Sequence, residues 1–147
     1  MIYADSSVIV KRYYQEPGSQ RVREDWARSE RIFTSRVAYA EVHAALGRKR
    51  RDRGISAAQF RRLADAFESE WHAYDHVLVD GATATHVRRL VLQHALRGFD
   101  AIHLSAALWL QEEIGEPVEF WVSDERLANV AAKEGLAFVN PEGGIRS

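Results

Sequence analysis

The chain has 147 residues, 46% hydrophobic and 28% charged, with a formal net charge of -1; it is long enough to bury one core, too short for two ordinary domains, and lacks the global positive charge of a general nucleic-acid binder. It contains no cysteine, which excludes disulfides, thiolate zinc sites and cysteine nucleophiles and suits a reducing cytoplasm. With an acid at its fifth position and no apolar run of signal-peptide or membrane-span length, a single soluble, cytoplasmic domain over residues 1–147 is expected.

The opening, "MIYADSSVIVKRY", reads as strand, turn, helix: residues 1–4 are a short apolar run, and residues 6–14 carry Val8, Ile9, Arg12 and Tyr13 at helical spacing before Pro17 and Gly18 stop them. A short helix over residues 19–29 leads to "RIFTS", a strand over residues 31–35, and then to a long helix over residues 37–53 ended by Gly54. Ser56 begins another helix, where Phe60, Leu63, Ala64, Phe67 and Trp71 form the stripe of an amphipathic surface helix. "HVLV", residues 76–79, is the third strand; Asp80 and Gly81 open a helix to about Leu96, and Asp100 opens another, apolar nearly all round, that ends at Gly115. Residues 118–123 form the fourth strand, residues 124–135 a helix, and residues 136–140 a fifth strand. Strands alternating with helices imply a three-layer α/β/α domain around a central, mostly parallel sheet of about five strands.

In such a sheet, ligands bind outside the carboxyl ends of the strands, where Asp5 and Asp124 fall and where Asp100 starts the buried helix. Taken singly, each could cap its own helix, since Asp is a favoured N-cap residue. Glu41 has no such role: it interrupts a core-facing stripe with Val37, Ala38, Ala44 and Ala45, mid-helix, where a carboxylate needs a partner such as Arg36 or Arg48, or a metal ion. Ser6 and Ser123 adjoin the acids and could bond a carboxylate or a phosphate, or simply cap helices. "GRKRRDR" holds five basic residues in the six positions 48–53, with Arg61 and Arg62 following. It is either a solvated helix end or a patch where Arg48, Lys49 and Arg50 meet RNA phosphates. His103, one turn after Asp100, is expected to pack or hydrogen-bond first and touch substrate second. His72 and His76 stand four apart but without the rest of a helical zinc motif. Trp26, Trp71, Trp109 and Trp121 are expected in the core. The apolar faces around Tyr39, Leu46 and Trp109 could meet another subunit.

The segments "YADSSVIVKRY", "RVAYAEVHAAL", "LRGFDAIHLSAAL" and "WVSDERLANVAAKEGLAFVNP", in that order and spanning nearly the whole chain, resemble the PIN-domain ribonucleases, most closely the VapC toxins of bacterial toxin-antitoxin pairs. The resemblance implies an acidic cluster of Asp5, Glu41, Asp100 and Asp124 that binds Mg2+ or Mn2+ and hydrolyses RNA phosphodiester bonds. It further implies a homodimer held inactive by a VapB-like antitoxin. Hard divalent cations take oxygen ligands, and four carboxylates suit them. Two rival readings are a nonenzymatic RNA-binding scaffold of the same fold and a receiver-like, Mg2+-binding phosphoacceptor domain. The latter is disfavoured because Lys11, Lys49 and Lys133 are the only lysines and none sits at an evident strand end.

Overall fold

The computed structural model describes residues 1–143. Five strands, β1 (Ile2–Ala4), β2 (Ile32–Ser35), β3 (Asp75–Val77), β4 (Glu119–Trp121) and β5 (Ala137–Val139), form one all-parallel sheet in the order β3-β2-β1-β4-β5. The helices are α1 (Ser6–Tyr13), α2 (Ser19–Ala27), α3 (Ala38–Arg53), α4 (Ala57–Glu70), α5 (Val87–His94), α6 (Gly98–Ile114) and α7 (Glu125–Lys133), with a short 3-10 turn at Trp71–Ala73. The sheet order sets the receiver-like reading aside, because there β1 would lie beside β3, whereas here it lies between β2 and β4.

The pleat of β1 divides the interior. Ile2 and Ala4 point to one face, where they join Val8, Val22, Ala38, Val42, Leu46 and Phe67 from α1 to α4. Tyr3 points to the other, stacked on Phe120 at 5.7 Å and packed with Leu90, Leu104 and Leu127 from α5, α6 and α7. Each face of the sheet is therefore covered, which is why its strands read as continuous apolar runs. Among the described residues no helix is long and apolar enough to cross a membrane.

Several expectations shift. The third strand ends at Val77, not Val79: Leu78 and Val79 lie beyond the sheet, 54% and 46% exposed. The helix expected from Asp80 begins only at Val87, because the Asp80 carboxylate and the Thr83 hydroxyl hold the intervening residues in a hydrogen-bonded turn. Leu46 is fully buried and so cannot meet another subunit. Trp26 and Trp121 lie in the core, while Trp71 and Trp109 pack at its margin. His72 and His76 share no helix face: His76 sits in β3, stacked on Trp71 at 4.1 Å, and bonds the Trp71 carbonyl at 2.8 Å.

Candidate active site

The order of the chain along the sheet reverses between β1 and β4, the switch point where open α/β sheets bind ligands. Asp5 leaves β1 there. Its backbone amide donates to the Trp121 carbonyl at 3.0 Å, so pairing carries past the strand end and ties Asp5 to the chain that leads to Asp124. Ser7 strengthens the tie: its hydroxyl donates to Asp5 Oδ2 at 2.6 Å and accepts from the Ser123 amide at 3.2 Å. Ser7 is a residue the sequence reading missed; an Asp accepting from the residue two positions on is the Asx-turn signal that could have found it.

Asp5 and Asp124 do cap their helices. Asp5 Oδ2 accepts from the Ser7 amide, and Asp124 Oδ1 from the Arg126 and Leu127 amides at 2.8 and 3.2 Å. Asp100 does not. Helix α6 starts at Gly98, which makes Asp100 its third residue, and the side chain bonds Arg97 at 3.4 Å. Burial pushes the Asp100 carboxyl above its ordinary value, and the charges of Asp5 and Asp124 push it further, against the partial relief that Arg97 gives. That mutual repulsion is the electrostatic sign that these acids share one region.

Glu41 lies in the first turn of α3, not mid-helix, and its partner is neither Arg36 nor Arg48. Its Oε1 meets His103 Nε2 at 2.6 Å, while His103 Nδ1 meets the Tyr3 hydroxyl at 2.9 Å. Asp5 Oδ1 lies 3.6 Å from the same Nε2. His103 has no exposed surface, so it sits beneath the acids and not against a substrate. Burial by itself would lower its pKa; the hydrogen bond to Glu41 and the charges of Asp5, Glu41 and Asp100 outweigh burial and hold it above its ordinary value. The result is a buried line from Tyr3 through His103 to Glu41, which joins sheet, α6 and α3 and fixes the Glu41 carboxylate.

The remaining candidates separate. Ser6 and Arg48 line a groove between α1 and α3 that includes Glu41. The Ser123 hydroxyl is buried and has no hydrogen-bond partner among the described residues. Lys49 is held by Glu16 at 2.7 Å, and Arg50 donates to the Ile55 carbonyl at 3.0 Å, closing the α3–α4 turn. Among the described residues no three acid or histidine side chains are drawn into a closed ion cage. The donor chemistry nevertheless fits a hard divalent cation: each of Asp5, Glu41, Asp100 and Asp124 uses one carboxylate oxygen for its structural bond and keeps the other outside the hydrogen bonds of the described residues.

Residues 2–133 match the family model described as PIN domain. The chain is 33% identical over 138 residues to Ribonuclease VapC45 of Mycobacterium tuberculosis strain CDC 1551 / Oshkosh, covering 92% of each chain. It is 34% identical over 140 residues to Ribonuclease VapC46 of Mycobacterium tuberculosis strain H37Rv, covering 95% of this chain and 97% of that one. Among solved structures it resembles FitAcB from Neisseria gonorrhoeae with a TM-score of 0.68 at 17% identity, covering 96% of this chain and 98% of that one. It also resembles a toxin-antitoxin complex from Klebsiella pneumoniae with a TM-score of 0.68 at 13% identity, over the same shares of the two chains. With the fold, the family match and these relatives in agreement, the chain belongs to the PIN domain family.

Proposed function

We propose that this chain is the endoribonuclease toxin of a toxin-antitoxin pair, a single cytoplasmic domain that hydrolyses RNA phosphodiester bonds with Mg2+ or Mn2+ held by Asp5, Glu41, Asp100 and Asp124. One observation supports the reading: Asp5 and Asp124 stand at the carboxyl ends of neighbouring β1 and β4, Asp100 feels the charge of both, and buried His103 bonds Glu41 at 2.6 Å and lies 3.6 Å from Asp5, so four acids share two cations, His103 and the exposed Arg97. A structural ion pair would bring matched cations; this arrangement leaves negative charge in excess. The relatives named Ribonuclease VapC support RNA as the substrate, and the toxin-antitoxin neighbour supports an antitoxin partner.

A divalent cation held by Asp5, Glu41, Asp100 and Asp124 would supply charge for the phosphoryl oxygens and would lower the pKa of a water so that it could act as nucleophile. The chain's own residues do the positioning. Asp5 and Asp124 are fixed by their helix amides, Ser7 ties Asp5 to the amide of Ser123, the residue before Asp124, and Glu41 is fixed by His103. Ser6 offers a hydroxyl beside Glu41, and Arg48 a cation at the groove's far end, for substrate contacts. We further propose a homodimer.

The test is cleavage of a mixed RNA pool by wild type and Asp100→Asn with Mg2+, Mn2+ or EDTA. Loss of cleavage by on the order of 100-fold or more, in the variant and in EDTA alike, is expected. Equal cleavage in both proteins marks a contaminant, and RNA binding with no cleavage under any ion points to the nonenzymatic scaffold.

A further inference from the structure

Between α1 and α3 runs a groove of about 500 Å³. Its walls are Val10, Val37, Ala40, Ala44 and Ala45, and Phe99 stands at its edge. Phe99 is 57% exposed and belongs to neither apolar cluster of the interior, so folding does not explain an aromatic ring there. It directly precedes Asp100. The groove adjoins the acid cluster through Glu41, which lines it, and Phe99 neighbours Asp100 in the first turn of α6.

The polar groups are arranged by position along α3. Glu41 and Arg48 lie two turns apart, on the order of 10 Å along the helix, with Ala44 and Ala45 between them as a small-residue floor. Arg48 has no ion-pair or hydrogen-bond partner among the described residues, in contrast to its neighbours Lys49 and Arg50. The Ser6 side chain likewise makes no hydrogen bond among the described residues. A second recess shares Ser7, Val10, Ala45 and Arg48 with the groove and adds Lys11, Lys49 and Arg53 together with the acids Glu16 and Asp52.

We infer that this groove is a nucleotide subsite: it takes the nucleobase next to the scissile phosphate of a single-stranded RNA, stacked on Phe99 over the alanine floor, with the following phosphate on Arg48. The inference rests on the ribonuclease reading and names how the substrate is held. The charge pattern matches such a strand: a cation-binding acid cluster for one phosphate, a flat apolar slot for the base, an unpaired guanidinium for the next phosphate. Single-stranded RNA is recognised by stacking splayed bases on aromatic rings and bonding their edges. Ser6 and the free oxygen of Glu41 are the groups in reach of a base edge, which makes the groove the place where base preference is set.

The test is binding of end-labelled single-stranded oligoribonucleotides of mixed sequence, by fluorescence anisotropy in EDTA across a salt series. Phe99→Ala is expected to weaken binding by about 10-fold at every salt concentration, leaving the salt slope unchanged, because stacking releases no counterions. Ala44→Phe fills the groove from an exposed helix position and should weaken binding comparably. Arg48→Ala should reduce the salt slope by about one. Cleavage by Asp100→Asn is read separately: cleavage equal to wild type marks a contaminant and counts against the ribonuclease reading, while the binding result stands by itself. Wild-type binding by both Phe99→Ala and Ala44→Phe, folded by circular dichroism, overturns the subsite. So does a wild type that binds no single strand. If both variants bind and cleave RNA normally but escape inhibition by the antitoxin, the groove takes a protein segment and the inference fails.

Discussion

At Asp5 the carboxylate has two oxygens in different service: Oδ2 caps α1 through the Ser7 amide and hydroxyl, while Oδ1 lies toward His103 and the acid cluster. Asn keeps an oxygen for the cap and removes the charge, and Asp and Asn are equivalent N-caps. Asp5→Asn should therefore unfold in urea within about 0.5 kcal/mol of wild type, whereas Asp5→Ala loses about 1 kcal/mol with the cap. Both should lose RNA cleavage. An Asn variant that unfolds as readily as the Ala variant would show that the charge itself holds the turn. In the sequence Asp5 and Asp124 read singly as helix caps, which they are, and the four acids become candidates only as a joint pattern. The support of Glu41 is not legible there: His103 lies 62 positions from it and Tyr3 lies 100 from His103, and no local spacing announces a hydrogen bond of that separation.

Element boundaries show the same division between local and tertiary causes. Helix α4 begins where its signal lies, since Ser56 and Gln59 form a complete capping box. By contrast, β3 stops two residues before its apolar run does, because pairing with Phe33, Thr34 and Ser35 of β2 ends there. The last turn of α1 is tied to its surroundings by charge. Lys11 is buried and held by Glu16 at 3.1 Å and Glu142 at 2.9 Å, and Glu16 also holds Lys49, so three elements meet in one charge network: α1, α3 and the segment after β5. Burial by itself would raise Glu16; the bonds from Lys49 and Lys11 outweigh it and hold the carboxyl below its ordinary 4.5. A folded-state pKa below the unfolded one contributes stability that is present above the unfolded value and lost as pH falls through the folded one. Urea unfolding should therefore show stability falling below about pH 4.5, and Glu16→Gln should flatten that fall by up to ~1.4 kcal/mol per pH unit. At pH 7 the same variant should be less stable by roughly 1–3 kcal/mol, because a buried ammonium loses a charged partner.

Over the whole molecule, alternation of strands and helices was enough to predict a three-layer domain with a parallel sheet, because two covered faces demand continuous apolar strands. Strand order was not readable from alternation, and it is the order that places β3 at an edge and leaves Leu78 and Val79 exposed beyond its end. An edge strand presents unpaired backbone groups, and soluble chains usually blunt it with charge or cover it. Here Asp75 and Arg31 pair at the strand's start, but the two apolar side chains past its end have no such cover. Contiguous exposed apolar residues mark contact surfaces more often than chance, and this pair, not the buried Leu46, is where the proposed homodimer should close. Leu78→Asp combined with Val79→Asp should leave unfolding free energy within about 0.5 kcal/mol of wild type, since neither side chain supports the core. Sedimentation velocity should then show the variant as a monomer at concentrations where wild type is a dimer. A wild type that sediments as a monomer counts against the homodimer, and a variant that still pairs moves the interface away from the end of β3.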